Sequence, residues 1–414
     1  MRALLITILS WLLSVPVLQA EEVPPNTRGA LVIAGGALRA ETGDVWRAFL
    51  AERHGDGPIL IIPSASGAPA QSGTATREIL IRYGVDPDAV MIAPLALMDD
   101  ESTAKVDESA WRKNANSESL VALVVTASAI WFTGGDQSRT TELLLEKNGE
   151  DTAVLAAIRS ANKRGAPIGG TSAGAAIMSS SMILQGDSMA ALTGAMSLEP
   201  LQLGAGLGFF KAGLVDQHFG ERARLGRLAA ALGRLPNTIP KRGYGVDENT
   251  ALIVYADGTA KVLGTGSVTL LNGQAARFEE TDSGGFKAKG LVVGLASSGD
   301  GVDLISMVPR PAEGREPTIG REYVTKPLPS GGGPALPGQT LSALLGDGLL
   351  DNQASQTVSA VSFLLSGEAV RFEFSQTEDS QAYWGRHEDG VGRYTISGVA
   401  FDISPQRIRL EPQE

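Results

Sequence analysis

The sequence predicts an α/β fold: a mainly parallel sheet flanked by helices, with a β-rich extension toward the C-terminus. Three observations predict it. Apolar runs such as ALVIAGG (30–36), PILIIPSAS (58–66) and AIWFTGGD (129–136) are continuous rather than alternating, as strands buried on both faces of a parallel sheet require. Each run ends in a loop of glycine, serine or proline, and helical patterns lie between them, which is the strand–loop–helix rhythm of an α/β domain. After Gly243 the helices give way to short strand-like runs.

The first twenty residues are set apart. Arg2 precedes the apolar stretch ALLITILSWLLSV (3–15), and LQA (18–20) offers a small residue before Glu21. This reads as a secretory leader cut after Ala20. The run carries Thr7, Ser10 and Ser14, is followed by Pro16 and is short for a span of about 20 residues, so no stable membrane anchor is expected. The mature protein is then periplasmic or secreted. It has no cysteine, hence no disulfide and no thiolate chemistry. A net charge of -11 argues against nucleic acid as a partner, because such surfaces are basic.

The α/β region is taken as 21–263. Its helical stretches include DVWRAFLAER (44–53) and TAVLAAIRSANKRG (152–165), the second closing on Gly165. APIGGTSAG (166–174) and GLVDQHF (213–219) repeat the strand-then-loop form. Residues 264–324 continue as β-rich sequence, TKPLPSGGGPALPG (325–338) reads as a linker, and 339–414 as a small β-rich or α+β unit. In open α/β sheets the sites lie beyond the carboxyl ends of strands, so residues just after each strand carry the functional information.

Gly170-Thr171-Ser172-Ala173-Gly174 matches G-x-S-x-G, a strand-to-helix turn that exposes a serine nucleophile. The helix expected over AGAAIMSSSM would favour developing negative charge through its N-terminal N–H groups. A packed Gly/Ala helix is the plain alternative. A serine needs a base, and the chain has three histidines. His54 lies at a helix end and His387 in a polar turn; His218 directly follows an apolar strand. For the acid that orients it, Asp187 and Glu199 compete, and Asp216 is too near His218 along the strand. Ala173 would supply one oxyanion N–H and the Gly134–Gly135 pair another, with Gln137 aimed at substrate. The arginines Arg222, Arg224 and Arg227 are either a solvated face or a clamp for carboxylates.

Taken together, FTGGDQ (132–137), GGTSAGAAIMS (169–179), DQHFGERARLGRL (216–228) and GYGVDENTAL (243–252) resemble the cyanophycinases, serine peptidases related to aspartyl dipeptidase with a fold similar to class I glutamine amidotransferases. The leader and C-terminal extension resemble the extracellular members of that family. The resemblance covers about 28–263. It implies Ser172 as nucleophile, His218 as base, and a pocket of Gln137, Asp216, Gln217, Arg222, Arg224 and Arg227. It places the acid shortly after the nucleophile helix, where Asp187 fits; Asp247–Glu248 is read as a structural or substrate-contacting pair. The implied substrate is cyanophycin, poly-aspartate carrying arginine on each β-carboxyl, cleaved through an acyl-enzyme to β-aspartyl-arginine. Neither cofactor nor metal is implied, and a homodimer is left open. Competing readings are an aspartyl dipeptidase acting on short β-aspartyl or other Asp-containing peptides, an unrelated esterase, and a secreted binding protein without turnover.

Overall fold

The computed structural model describes residues 28–281, 284–329, 340–409 and 411. The leader and most of the Pro/Gly stretch lie outside the described residues. In chain order the first half contains β1 (Leu31–Ala34), α1 (Gly43–Ala51), β2 (Ile59–Ile62), α2 (Pro69–Arg82), β3 (Val90–Ile92), α3 (Glu118–Thr126), β4 (Ala129–Phe132), α4 (Gln137–Leu144), α5 (Ala153–Lys163), β5 (Ile168–Thr171) and α6 (Ala173–Ala176). There follow β6 (Ser181–Gln185), α7 (Ser188–Thr193), β7 (Gln202–Ala205), β8 (Leu214–Gln217), α8 (Leu225–Arg234), β9 (Arg242–Val246), β10 (Thr250–Val254) and β11 (Ala260–Gly264). The rest is mostly strand: β12 (Ser267–Asn272), β13 (Arg277–Glu280), β14 (Phe286–Ser297), β15 (Gly301–Asp303), β16 (Val308–Arg310), β17 (Glu316–Pro317), then a one-turn α9 (Leu341–Leu345), β18 (Thr357–Phe363), β19 (Glu368–Ser375), β20 (Gln381–Arg386) and β21 (Gly392–Arg407).

Two large sheets organise these elements. The first runs β16-β15-β11-β10-β1-β5-β4-β2-β3, parallel from β1 to β3 and antiparallel from β1 through β10 to β16. Alternate residues of its strands face opposite ways. Val32, Ile59, Ile61 and Trp131 pack with Trp46, Phe49 and Leu80 on one side; Ile33, Leu60, Ile62 and Phe132 pack with Leu120, Leu155 and Ile158 on the other. Every residue of β1, β2 and β4 is buried, which is why those runs are continuously apolar.

The second sheet runs β17-β20-β21-β14-β12-β9-β8. One of its faces (Val215, Tyr244, Val246, Val268 and Leu270) shares the core of the first sheet. The other (Leu214, Leu271, Leu291, Val293) packs under Leu228 and Leu232 of α8. Two expectations change here. The strand carrying Asp216 and Gln217 belongs to this second sheet, parallel to β9, not to the first. The segment 339–414 is not a separate unit either: β21 pairs with β14 from Ala288↔Ile403 to Leu295↔Ile396, β14 pairs with β12, and β12 pairs with β9. A long-range strand pairing of this kind leaves no mark in local sequence.

The chain crosses from the second sheet back to the first in three residues, Asp247 to Asn249, between β9 and β10. Asn249 N–H donates to Gly36 O at 2.8 Å and His218 N–H to Gly35 O at 2.7 Å, just past the end of β1. The two sheets are thus stitched together beyond the C-terminal ends of β1, β8 and β9.

Candidate active site

Ser172 sits immediately after β5 with φ +53, a conformation L-residues seldom adopt. The turn is held by Ser172 N–H donating to Ala34 O at 3.0 Å. It is tight enough that a Cβ on Gly170 would lie 2.3 Å from Gly174 O, so only glycine fits there. The following helix is one turn, Ala173–Ala176, rather than the longer one expected. The chain then turns into β6, so the local N–H groups, not a long helix dipole, would favour negative charge.

Ser172 Oγ lies 2.8 Å from His218 Nε2, and His218 Nδ1 lies 2.6 Å from Glu248 Oε1. With Nδ1–H donating to the carboxylate, Nε2 carries a lone pair toward the serine hydroxyl. His218 is buried, 7% exposed, and also has positive φ, +47. Its ring lies over Gly36, where a Cβ would come within 2.3 Å of the imidazole. Burial lowers the His218 pKa, the hydrogen bond to Glu248 opposes this, and the nearby Arg222 and Arg224 lower it further. The imidazole is therefore held neutral, the form a general base needs.

The acid beside His218 is Glu248, which corrects the expectation of Asp187. Asp187 is the N-cap of α7: its Oδ1 accepts from Met189 N–H at 2.6 Å and Ala190 N–H at 3.3 Å. Its own N–H donates to Glu199 O at 2.9 Å, and both side chains are exposed. Glu248, expected as a structural or substrate-contacting residue, instead completes the serine–histidine pair.

The expected pocket residues divide into two groups. Asp216, 1% exposed, accepts from Arg227 Nε at 2.8 Å and NH2 at 2.5 Å. Arg227 NH1 also donates to Gly186 O at 2.9 Å. Arg224 donates to the backbone and, at 2.7 Å, to the side-chain oxygen of Gln217; burial lowers its pKa to about 10. Asp216 and Gln217 thus hold Arg227 and Arg224 at the start of α8, and Arg224 also lies 3.7 Å from Asp216. Gln137 is likewise buried, its amide donating to Ile183 O and Leu184 O at 2.7 and 2.6 Å. Arg222 is exposed beside His218. Gly135 has φ +140, and among the described residues neither its N–H nor that of Ala173 has a hydrogen-bond partner.

Ser172, His218 and Glu248, hydrogen-bonded in series beyond the C-terminal ends of β5, β8 and β9, have the arrangement of a serine hydrolase triad. The matches to known proteins narrow the class. The model for peptidase family S51 matches residues 31–262, and the chain belongs to that family. It is 33% identical to the cyanophycinase of Synechococcus elongatus over 267 residues, 62% of this chain and 74% of that one. It is also 33% identical to the cyanophycinase of Nostoc sp. over 266 residues, 63% and 80% of the two chains. The crystal structure of a peptidase from an acI-B1 Actinobacterium aligns with TM-score 0.43 at 24% identity, over 59% of this chain and 91% of that one. The protein is a serine-type peptidase.

Proposed function

We propose that this peptidase hydrolyses cyanophycin to β-aspartyl-arginine dipeptides outside the cytoplasm, through an acyl-enzyme. The observation that carries the reading is the continuous relay from Ser172 Oγ through His218 to Glu248, in a chain whose relatives include cyanophycinases. Ser172 Oγ bonds to a main-chain aspartyl carbonyl as its proton passes to His218 Nε2. The resulting oxyanion lies toward the N–H groups of Ala173 and Gly135. The carbon–nitrogen bond then breaks, and His218 returns the proton to the leaving amine. Water repeats the sequence on the ester, freeing the carboxylate and Ser172. The isopeptide link to arginine is untouched, so each product keeps both residues.

Recognition divides between free and committed groups. Arg222 is exposed and suits a substrate carboxylate. Arg224, Arg227, Asp216 and Gln217 act through the wall they build. The secretory leader supports export, and N-terminal sequencing of the mature protein would test cleavage after Ala20. The deciding assay incubates purified cyanophycin with mature protein and with Ser172→Ala, identifying products by mass. Release of β-aspartyl-arginine by the first alone supports the proposal. Release from short aspartyl peptides, but not from the polymer, would favour the dipeptidase reading instead.

A further inference from the structure

The acid and the base of the relay come from different chain segments, and each segment holds the other by a carboxylate. Glu221 Oε2, three residues past His218, accepts the N–H of Glu248 at 3.1 Å. Asp247 Oδ1, one residue before Glu248, accepts the N–H of Gly220 at 2.9 Å. The two bonds run in opposite directions across the same gap. Asp247 has a second commitment, since its Oδ2 accepts the N–H of Ser267 at 3.0 Å, on the first residue of β12. That strand begins beyond the segment matched by the family model, 31–262.

We infer that Glu221 and Asp247 are positioning residues: a reciprocal pair of carboxylate-to-backbone bonds that sets the distance between Glu248 and His218 and ties it to β12. The inference rests on the Ser172–His218–Glu248 reading. Among the described residues neither side chain hydrogen-bonds to the serine or the imidazole, so neither is a catalytic group. The need for such a lock follows from the backbone. His218 and Asn249 both hold positive φ, +47 and +53, and a non-glycine residue stays there only when its surroundings over-determine it. Each bond fixes the chain within three residues of a strained position: Gly220 and Glu221 follow His218, and Asp247 and Glu248 precede Asn249. The anchor on Ser267 gives the C-terminal half a part in the chemistry, because β12 is itself held by β14 and, through it, β21.

The test uses full-length mature protein and two readouts. One is kcat and KM on cyanophycin. The other is the pH dependence of inactivation by an uncharged organophosphorus fluoride, which needs no knowledge of the substrate. The charged groups around His218 are Glu248, Glu221, Asp247, Arg222 and Arg224. Contact with Glu248 raises the His218 pKa, so loosening Glu248 moves the acid limb of inactivation to lower pH. Glu221→Ala is expected to lower kcat roughly 10- to 100-fold, the scale of a misplacement of about an ångström, with KM unchanged. Its acid limb should move in the same direction as in Glu248→Gln. Glu221→Gln keeps an oxygen for the Glu248 N–H while removing the charge, and should restore both kcat and the limb. If Glu221→Gln shifts the limb as far as Glu221→Ala does, the charge is acting rather than the bond, and the inference is overturned. Unchanged kcat and limb in both Glu221→Ala and a folded Asp247→Ala would overturn it as well. Labelling that persists in Ser172→Ala would instead sink the underlying triad reading.

Discussion

Glu248 meets His218 from the crossing between the two sheets, its Oε1 2.6 Å from Nδ1 across 30 residues of sequence. The register of the parallel pair explains the meeting. Gln217 lies opposite Val246, so the residues just past each strand end are brought side by side. Glu248→Gln keeps the shape but removes the charge that stabilises the imidazolium. We expect kcat to fall roughly 10²- to 10⁴-fold, with KM little changed. Asp187→Ala should leave kcat near that of the parent and cost about 1 kcal/mol of stability, the usual value of an N-cap. Steady-state kinetics and urea unfolding of the two variants would separate the roles. Loss of turnover in Asp187→Ala alone would return the acid to that position.

The second expectation concerns pH. Burial, Arg222 and Arg224 outweigh Glu248 and put the His218 pKa below its usual 6.5. Inactivation by an uncharged organophosphorus fluoride should therefore be fully developed by neutral pH, with its acid limb below 6.5. Removing a neighbouring positive charge makes the imidazolium easier to form, so Arg222→Ala should move the limb to higher pH. Arg222 is exposed, and the shift should shrink as salt screens it. Profiles at low and high ionic strength would show this. A limb that moves to lower pH, or not at all at low salt, contradicts the electrostatic assignment.

Part of the site was legible because its signals are local. A glycine-flanked serine at a strand end and a histidine directly after an apolar strand name Ser172 and His218 without any three-dimensional information. Glu248 was hidden by its position. The expected acids, Asp187 and Glu199, lie between serine and histidine in sequence, whereas the pairing of β8 with β9 brings Glu248 from beyond both. The signal available was GVDENT at a strand end, the same cue that singled out His218. Asp187 misled because an aspartate two residues before an Ala-rich turn has a plainer use as a cap, which is what it does. The arginines after His218 divided according to burial, and sequence does not report burial for a charged residue on an amphipathic helix. The Pro/Gly stretch at 325–338 suggested a boundary, but β21 returns to pair with β14, more than a hundred residues earlier.

The Asp216–Arg227 pair should show itself in stability more than in substrate affinity. Both side chains are at least 95% buried, and Arg227 makes a two-pronged contact with the carboxylate. Arg227→Ala strips the buried Asp216 carboxylate of its two-pronged partner and leaves it only the more distant Arg224, 3.7 Å away, a loss of up to about 3–5 kcal/mol. Replacing both partners, with Asp216→Leu and Arg227→Met together, should recover much of that loss, because neither charge then remains unpaired. Urea titrations of the singles and the double provide the comparison. If Arg227→Ala keeps its unfolding midpoint and only raises KM, the arginine is a substrate clamp after all.

The C-terminal strands should not be removable. Truncation after Pro327 deletes β18 to β21 and strips β14 of one of its neighbours, β21, leaving it β12 and β13. Leu291, Val293 and Leu295 would lose the cover of Val399, Phe401 and Ile396, all of them 2% exposed or less. At roughly 25 cal/mol per Å² of apolar surface, uncovering several such side chains outweighs the few kcal/mol that usually separate folded from unfolded chains. The open edge of β14 would also offer its unpaired N–H and C=O groups to other chains. The truncated protein is expected to be insoluble, or soluble without a cooperative melt, and inactive in either state. Expression followed by centrifugation, and circular dichroism of any soluble fraction, measures this directly. A soluble, cooperatively melting fragment that still reacts with the organophosphorus fluoride would make the extension a separable module and would break the proposed link from β21 through β14 and β12 to Asp247.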